Sequence, residues 1–196
     1  MVAVVGDTHL DSRGRKFALA VVLGKALVDT DYRIVTGGLG DLPKALAKGA
    51  RKSNRYSDGS LIAILPSYDP STAGSVADIV VATGLDHARN LLVANSDAVI
   101  AIGGGAGTLS EIALAWALKR LIIAFRVPGW SGKVAGLRID DRIRYPEIKD
   151  DRVYEADSVP KAIETLNTLL SKYNMRHSRI FVGRKGAKSS RQKELL

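Results

Sequence analysis

The sequence predicts an α/β protein: a Rossmann-like, doubly wound parallel β-sheet with helices on both faces. Three observations predict it. Short, uniformly apolar runs recur along the chain at residues 2–5, 61–65, 98–102 and 121–125. Such runs suit strands buried on both faces better than strands with one wet face. Segments with apolar residues at helical spacing alternate with them, which argues parallel strands joined by crossover helices. Two glycine clusters, Gly37-Gly38-Leu39-Gly40 and Gly103-Gly104-Gly105-Ala106-Gly107, each follow a strand and precede a helical pattern. In that arrangement backbone N–H groups and a helix N-terminus face one spot, which suits an anion.

The elements follow in order. Residues 2–5 form a strand that ends at Gly6. A polar turn, Asp7 to Arg13, offers Asp11 or Ser12 as a cap for a helix with Phe17, Ala20, Val21, Gly24, Leu27 and Val28 on one stripe. Residues 33–36 form a strand that enters the first glycine turn. The next helix carries Leu42, Ala45, Leu46 and Gly49, with Pro43 in its first turn, where a missing N–H costs nothing. Residues 61–65 form a strand stopped by Pro66, residues 67–76 a loop, and residues 78–82 a short strand. Asp86 is the expected cap of a helix that holds Arg89 in its first turn and buries Ala88, Leu91 and Leu92. The strand at 98–102 runs through the second glycine turn into a helix with Leu109, Ile112, Ala113, Trp116 and Ala117 on one face. After a strand at 121–125, residues 126–151 are irregular, 152–156 a final strand, and a helix runs from Ser158 to about Tyr173 with Pro160 in its first turn.

At 196 residues the chain fits one ligand-binding domain, residues 1–173, with a basic tail, residues 174–196. The net charge is +9, and the stretch from Lys172 onward holds eight basic residues against one acid, so the body is nearly neutral. The absence of cysteine excludes disulfides and thiolate metal sites. His9, His87 and His177 are far apart and form no ligand spacing, so no metal site is expected. No signal-peptide pattern and no long apolar run is present, so the expected location is the cytoplasm, without membrane contact.

In a doubly wound sheet, ligands bind beyond the carboxyl ends of the strands, where the strand order reverses. Three turns should meet there: Gly6-Asp7-Thr8, Gly37 to Asp41, and Gly103 to Thr108. Arg89 should reach the same edge and offer a bidentate contact to a phosphate resting on the N–H groups of Gly104 to Thr108. Asp7, Asn90 and Thr108 are weaker candidates. Thr108-x-x-Glu111 has two readings. It is a capping box, or Glu111 lies beside the ligand as an anion stabilised by the helix N-terminus, a partner for an oxocarbenium-like state. The dinucleotide fingerprint fits poorly, because Thr108 stands where its third glycine belongs, and no P-loop lysine is present. Leu114 and Leu118 lie opposite Trp116 on a helix apolar nearly all round, which predicts a homodimer.

The run Gly104-Gly105-Ala106-Gly107-Thr108-Leu109-Ser110-Glu111 resembles the G-G-x-G-T-x-x-E motif of the LOG phosphoribohydrolases, formerly called lysine-decarboxylase-like proteins, and Arg89 matches their functional arginine. The likeness runs from Met1 to about Phe125. It implies a Rossmann-like dimer in which Arg89 and Glu111 are the catalytic pair that cleaves base from ribose in nucleoside 5′-monophosphates. The sequence has Gly103 where those enzymes have Pro, and Arg89-Asn90 where they have Arg-Lys. In both respects it is more similar to the branch that includes molybdenum-cofactor carriers. That branch implies a protein that binds a phosphorylated pterin, with the molybdenum cofactor as bound ligand and no cofactor required. Three readings follow in descending order: a carrier of a phosphorylated, nucleotide-like small molecule; a nucleoside-monophosphate phosphoribohydrolase; and a nucleic-acid-associated protein using its basic tail. Nothing resembles a pyridoxal-phosphate lysine site, so lysine decarboxylation is not expected.

Overall fold

The structure is a computed structural model, and it describes residues 1–175. Expectations for the basic tail from residue 176 onward lie outside the described residues. Seven strands form one sheet: β1 (Val2–Gly6), β2 (Ile34–Thr36), β3 (Leu61–Leu65), β4 (Ile79–Ala82), β5 (Ala98–Ile102), β6 (Leu121–Phe125) and β7 (Tyr154–Ala156). Their order is β4-β3-β2-β1-β5-β6-β7, and every pairing is parallel. The chain builds outward from β1 to β4, then returns to lay β5 against β1 from Val2↔Ala98 to Gly6↔Ile102. The strand order reverses between β1 and β5, so the carboxyl ends of these two strands open the crevice that such sheets use for ligands.

Both sheet faces are covered, as the uniformly apolar strands require. On one face α1 (Arg15–Asp29), α2 (Asp41–Ala50) and α6 (Val159–Leu169) pack over Val2, Val4, Ile34, Ile100, Ile102, Ile123 and Phe125. On the other, α3 (Asn90–Ala94), α4 (Ala106–Ala117) and α5 (Trp130–Val134) cover Ala3, Val5, Val35, Val99, Ala101, Ile122 and Ala124. Helices α1 and α2 touch backbone to backbone: a Cβ on Gly24 would lie 2.2 Å from the Leu46 carbonyl oxygen, and one on Gly49 1.8 Å from that of Val21.

Several local expectations change. Helix α1 begins at Arg15 with Gly14 as its N-cap, so neither Asp11 nor Ser12 caps it. Asp11 instead ties the preceding loop, accepting from the backbone N–H of Arg13 at 2.9 Å. Asp86 has φ +48° and opens a 3-10 turn through Arg89, which excludes the extended backbone of an N-cap. Helix α3 buries Asn90, Val93 and Ala94, while Leu91 and Leu92 are each 46% exposed and Ala88 is also exposed. Residues 126–151 contain α5, and the strand expected over 152–156 is limited to Tyr154–Ala156.

At the amino edge of the sheet Arg144 and Asp151 form a buried pair, 4% and 3% exposed. The Arg144 Nε donates to Asp151 Oδ2 at 2.8 Å, and its Nη1 to the Arg120 carbonyl at 3.0 Å. The guanidinium lies 3.6 Å from the centroid of the Trp116 ring. The Tyr173 hydroxyl donates to Asp151 Oδ1 at 2.7 Å, and burial raises its pKa, so it stays a donor. This network fastens the segment between β6 and β7 to the end of α4.

Candidate functional site

The turn that follows β5 is held open by backbone geometry. Gly103 and Gly104 have φ of +69° and +95°, conformations that a side chain resists. The Gly103 N–H donates to Ser131 Oγ at 2.7 Å, and the Gly104 N–H to Asp7 Oδ1 at 3.0 Å. These two amides are therefore committed inside the protein. Gly105, Ala106 and Gly107 are exposed, and a Cβ on Gly105 or Gly107 would meet nothing within 4 Å. The amide surface left for an anion is narrower than the Gly104–Thr108 stretch expected from sequence, and it centres on the first turn of α4.

Thr108 does not cap that helix. Gly105 is the N-cap, and Thr108 lies buried within the first turn, its Oγ1 donating to the Gly6 carbonyl at 3.1 Å. The capping-box reading therefore fails, and Glu111 is directed elsewhere. Its Oε1 stands 3.5 Å from Arg89 Nη1. Glu111 is 7% exposed. Burial raises its pKa to about 7, although Arg89 acts in the opposite direction. Desolvation thus works against the helix-stabilised anion expected from the sequence.

Arg89 enters from the 3-10 turn before α3 and lies against Gly37. A Cβ there would be 2.5 Å from Arg89 Nη1 and 2.9 Å from Cζ, so glycine makes room for the guanidinium. Burial lowers the Arg89 pKa and Glu111 raises it. Its Nε and Nη1 are buried and have no hydrogen-bond partner. A buried, unsatisfied guanidinium nitrogen is costly.

These groups face a cleft of about 160 Å³ walled by Val4, Val5, Gly6, Asp7, Thr8, Gly37, Leu39, Leu42, Pro43, Arg89 and Glu111. The sequence-selected Gly6, Asp7, Gly37, Arg89 and Glu111 thus come together. Others do not reach its walls. Asn90 is buried and donates from Nδ2 to Ser110 Oγ at 2.8 Å, which ties α3 to α4. Gly38 and Gly40 serve the backbone, at φ +74° and +85°. The turn from Gly103 to Thr108 borders the cleft through Asp7 instead of lining it.

Two residues, Lys16 and Ser131, escaped the sequence reading, and Asp41 was read only as the end of the first glycine turn. Lys16 Nζ pairs with Asp7 Oδ2 at 2.5 Å beside Gly103. Ser131 accepts from Gly103 and donates to the Phe125 carbonyl at 2.8 Å. Asp41 accepts the Leu10 N–H at 3.1 Å, which joins the loop after β1 to the start of α2 and lowers the Asp41 pKa. Among the described residues no three His, Cys, Asp or Glu side chains converge as metal ligands, and no helix is long and apolar enough to cross a membrane.

Comparison with known proteins places this geometry in context. The sequence model of the SLOG cluster4 family matches residues 1–163. An uncharacterized protein of Archaeoglobus fulgidus is 34% identical over 128 residues, spanning 65% of this chain and 80% of its own length. Among solved structures, the molybdenum cofactor binding protein of Rippkaea orientalis is 28% identical, with a TM-score of 0.66 over 86% of this chain and 94% of its own. The molybdenum cofactor carrier protein of Chlamydomonas reinhardtii is 26% identical, with a TM-score of 0.68 over 87% of this chain and 98% of its own.

Proposed function

We propose that this chain, which belongs to the SLOG cluster4 family, is a carrier of a phosphorylated, nucleotide-like small molecule. The observation that carries the reading is Arg89: a guanidinium with Nε and Nη1 buried and without a hydrogen bond, its Nη1 3.5 Å from Glu111, held over Gly37 at the carboxyl ends of β1 and β2. A phosphate there would supply the missing acceptors. The Rippkaea and Chlamydomonas proteins make the molybdenum cofactor the first cargo to test. Its phosphate group fits the unsatisfied Arg89, and the protein's own contribution is to bind and orient that group.

One observation favours a second reading, N-glycosidic cleavage of a nucleoside monophosphate. Glu111, with a pKa near 7, faces the same cleft and is able to give a proton to a departing base at neutral pH. The homodimer belongs to this proposal too. Ile79 and Val81 on the edge strand β4, and Leu91 and Leu92 on α3, are large apolar side chains left exposed, the kind of surface that a second copy covers.

Incubating the protein with AMP and assaying free adenine separates the two readings. A carrier releases none, and Glu111→Gln changes affinity only modestly. Wild-type release that disappears in Glu111→Gln would replace the carrier reading with the hydrolase.

A further inference from the structure

The Arg89 cleft carries an acid of its own. Glu111 Oε1 stands 3.5 Å from Arg89 Nη1. That is close for two charges but longer than the roughly 2.7–3.2 Å of a formed N–H···O bond. Both side chains wall the same cleft, and they are only 9% and 15% exposed. An acceptor that hydrogen-bonds Arg89 Nη1 therefore lies within about 6.5 Å of the Glu111 oxygen. In a partly desolvated cleft two negative charges at that distance repel each other strongly.

Among the described residues, no further cation relieves the conflict. Glu111 is the single charged residue of α4. The elements packed on α4 add little: β1, β5, β6 and α3 carry no charge, and Lys133 of α5 is exposed, 4.5 Å over the Trp130 ring. Asp86 and His87 share the turn with Arg89, but both are exposed and neither walls the cleft. The remaining charged wall residue is Asp7, which accepts the Gly104 N–H and pairs with Lys16. Lys16 is thus engaged by Asp7, and Arg89 alone faces both Glu111 and an incoming anion.

Protonation of Glu111 resolves the conflict. It removes the second negative charge and turns an acceptor-only carboxylate into an acid with one O–H to donate. Burial already raises the Glu111 pKa to about 7, against the pull of Arg89, so the proton is within reach at neutral pH. Resting on the phosphate-site reading above, we infer that Glu111 and the ligand anion compete for Arg89, so that the anion enters together with one proton taken from solvent onto the Glu111 carboxylate. A buffer acid supplies that proton, and no other bond changes. The protonated site is the one that binds: affinity is full below the Glu111 pKa and is lost as pH rises past it. The ligand is loaded at mildly acidic pH and released at alkaline pH.

Inorganic sulfate tests this, because it stays a dianion from pH 5.5 to 8.5 and adds no titration of its own. Calorimetric titrations at constant ionic strength should show wild-type affinity falling at least about tenfold between pH 6 and pH 8.5, with Glu111→Gln flat to within about twofold. Near pH 7 the two proteins should differ by only about twofold, since the Glu111 carboxyl is then half protonated. At pH 8, heats measured in buffers of different ionisation enthalpy should report about one proton taken up per sulfate by wild type and none by Glu111→Gln. Infrared difference spectra of wild type at pH 8 should gain a protonated-carboxyl band when sulfate is added, a signal that needs no variant. A wild-type profile as flat as that of Glu111→Gln, a pH dependence that survives the substitution, or absence of the new carboxyl band overturns the proton-linked competition and leaves the phosphate site standing. Failure of sulfate to bind either protein at pH 6, or binding that Arg89→Ala leaves unchanged, overturns the phosphate site and the inference with it.

Discussion

Two arginine–carboxylate pairs lie at opposite edges of the sheet and are built differently. At the amino edge, Arg144 and Asp151 meet through two hydrogen bonds, and the remaining polar atoms find Trp116, Arg120 and Tyr173. At the carboxyl edge, Arg89 and Glu111 approach only to 3.5 Å, with Arg89 Nε and Nη1 unsatisfied. Both arginines are desolvated, but only one is compensated within the protein. The contrast separates a pair that fastens the fold from one whose hydrogen bonds remain to be completed. A buried charge without its partners costs stability, and such sites persist where binding requires them.

The largest expected effect falls on the amino-edge pair. Arg144→Met should leave Asp151 buried and uncompensated and cost about 3–5 kcal/mol, read from urea unfolding. A loss below 1 kcal/mol would remove the structural half of the contrast. Arg89→Met should behave oppositely, with stability at pH 6 held within about 1 kcal/mol and ribose 5-phosphate binding weakened by about 1.5–3 kcal/mol.

The carboxyl-edge pair should also carry a pH dependence. The Glu111 pKa rises from 4.5 unfolded to about 7 folded, so the native state holds the extra proton between those values. Its contribution is favourable below pH 4.5 and is lost as pH rises through 7. Wild type should therefore lose stability relative to Glu111→Gln by on the order of 2 kcal/mol between pH 4 and pH 8. A constant difference in denaturation midpoint across that range would contradict the burial argument. The smallest stability change is expected from Gly37→Ala, about 1 kcal/mol or less, because the atoms its Cβ displaces are the mobile end of Arg89. Phosphate affinity should nevertheless fall, since the guanidinium must leave its seat.

The sheet was legible from the sequence because four of its strands are uninterrupted apolar runs, and the crevice because glycine clusters follow β2 and β5. Arg89 and Glu111 were legible as a motif, but their relation was not. The spacing Thr108-x-x-Glu111 suits a cap equally well, and only the start of α4 at Ala106 shows that Thr108 lies inside the helix. Leu91 and Leu92 were misplaced because periodicity marks apolar residues without saying whether their own chain covers them. Ser131 was missed because its partner Gly103 is distant in sequence, and Lys16, nine residues from Asp7, was passed over within the first helix. Lys16 sits just after Gly14, and a basic residue in the first turn beyond the β1 loop is the signal that pointed to it.

The central claim is that Arg89 is unsatisfied because a ligand phosphate completes it. Calorimetric titration of AMP into wild type and Arg89→Met, alongside unfolding of both proteins at pH 6, tests this most directly. The account predicts a ten- to hundredfold loss of AMP affinity, about 1.5–3 kcal/mol, with stability unchanged or raised. Equal AMP affinity in the two proteins, or a stability loss as large as that of Arg144→Met, would contradict it.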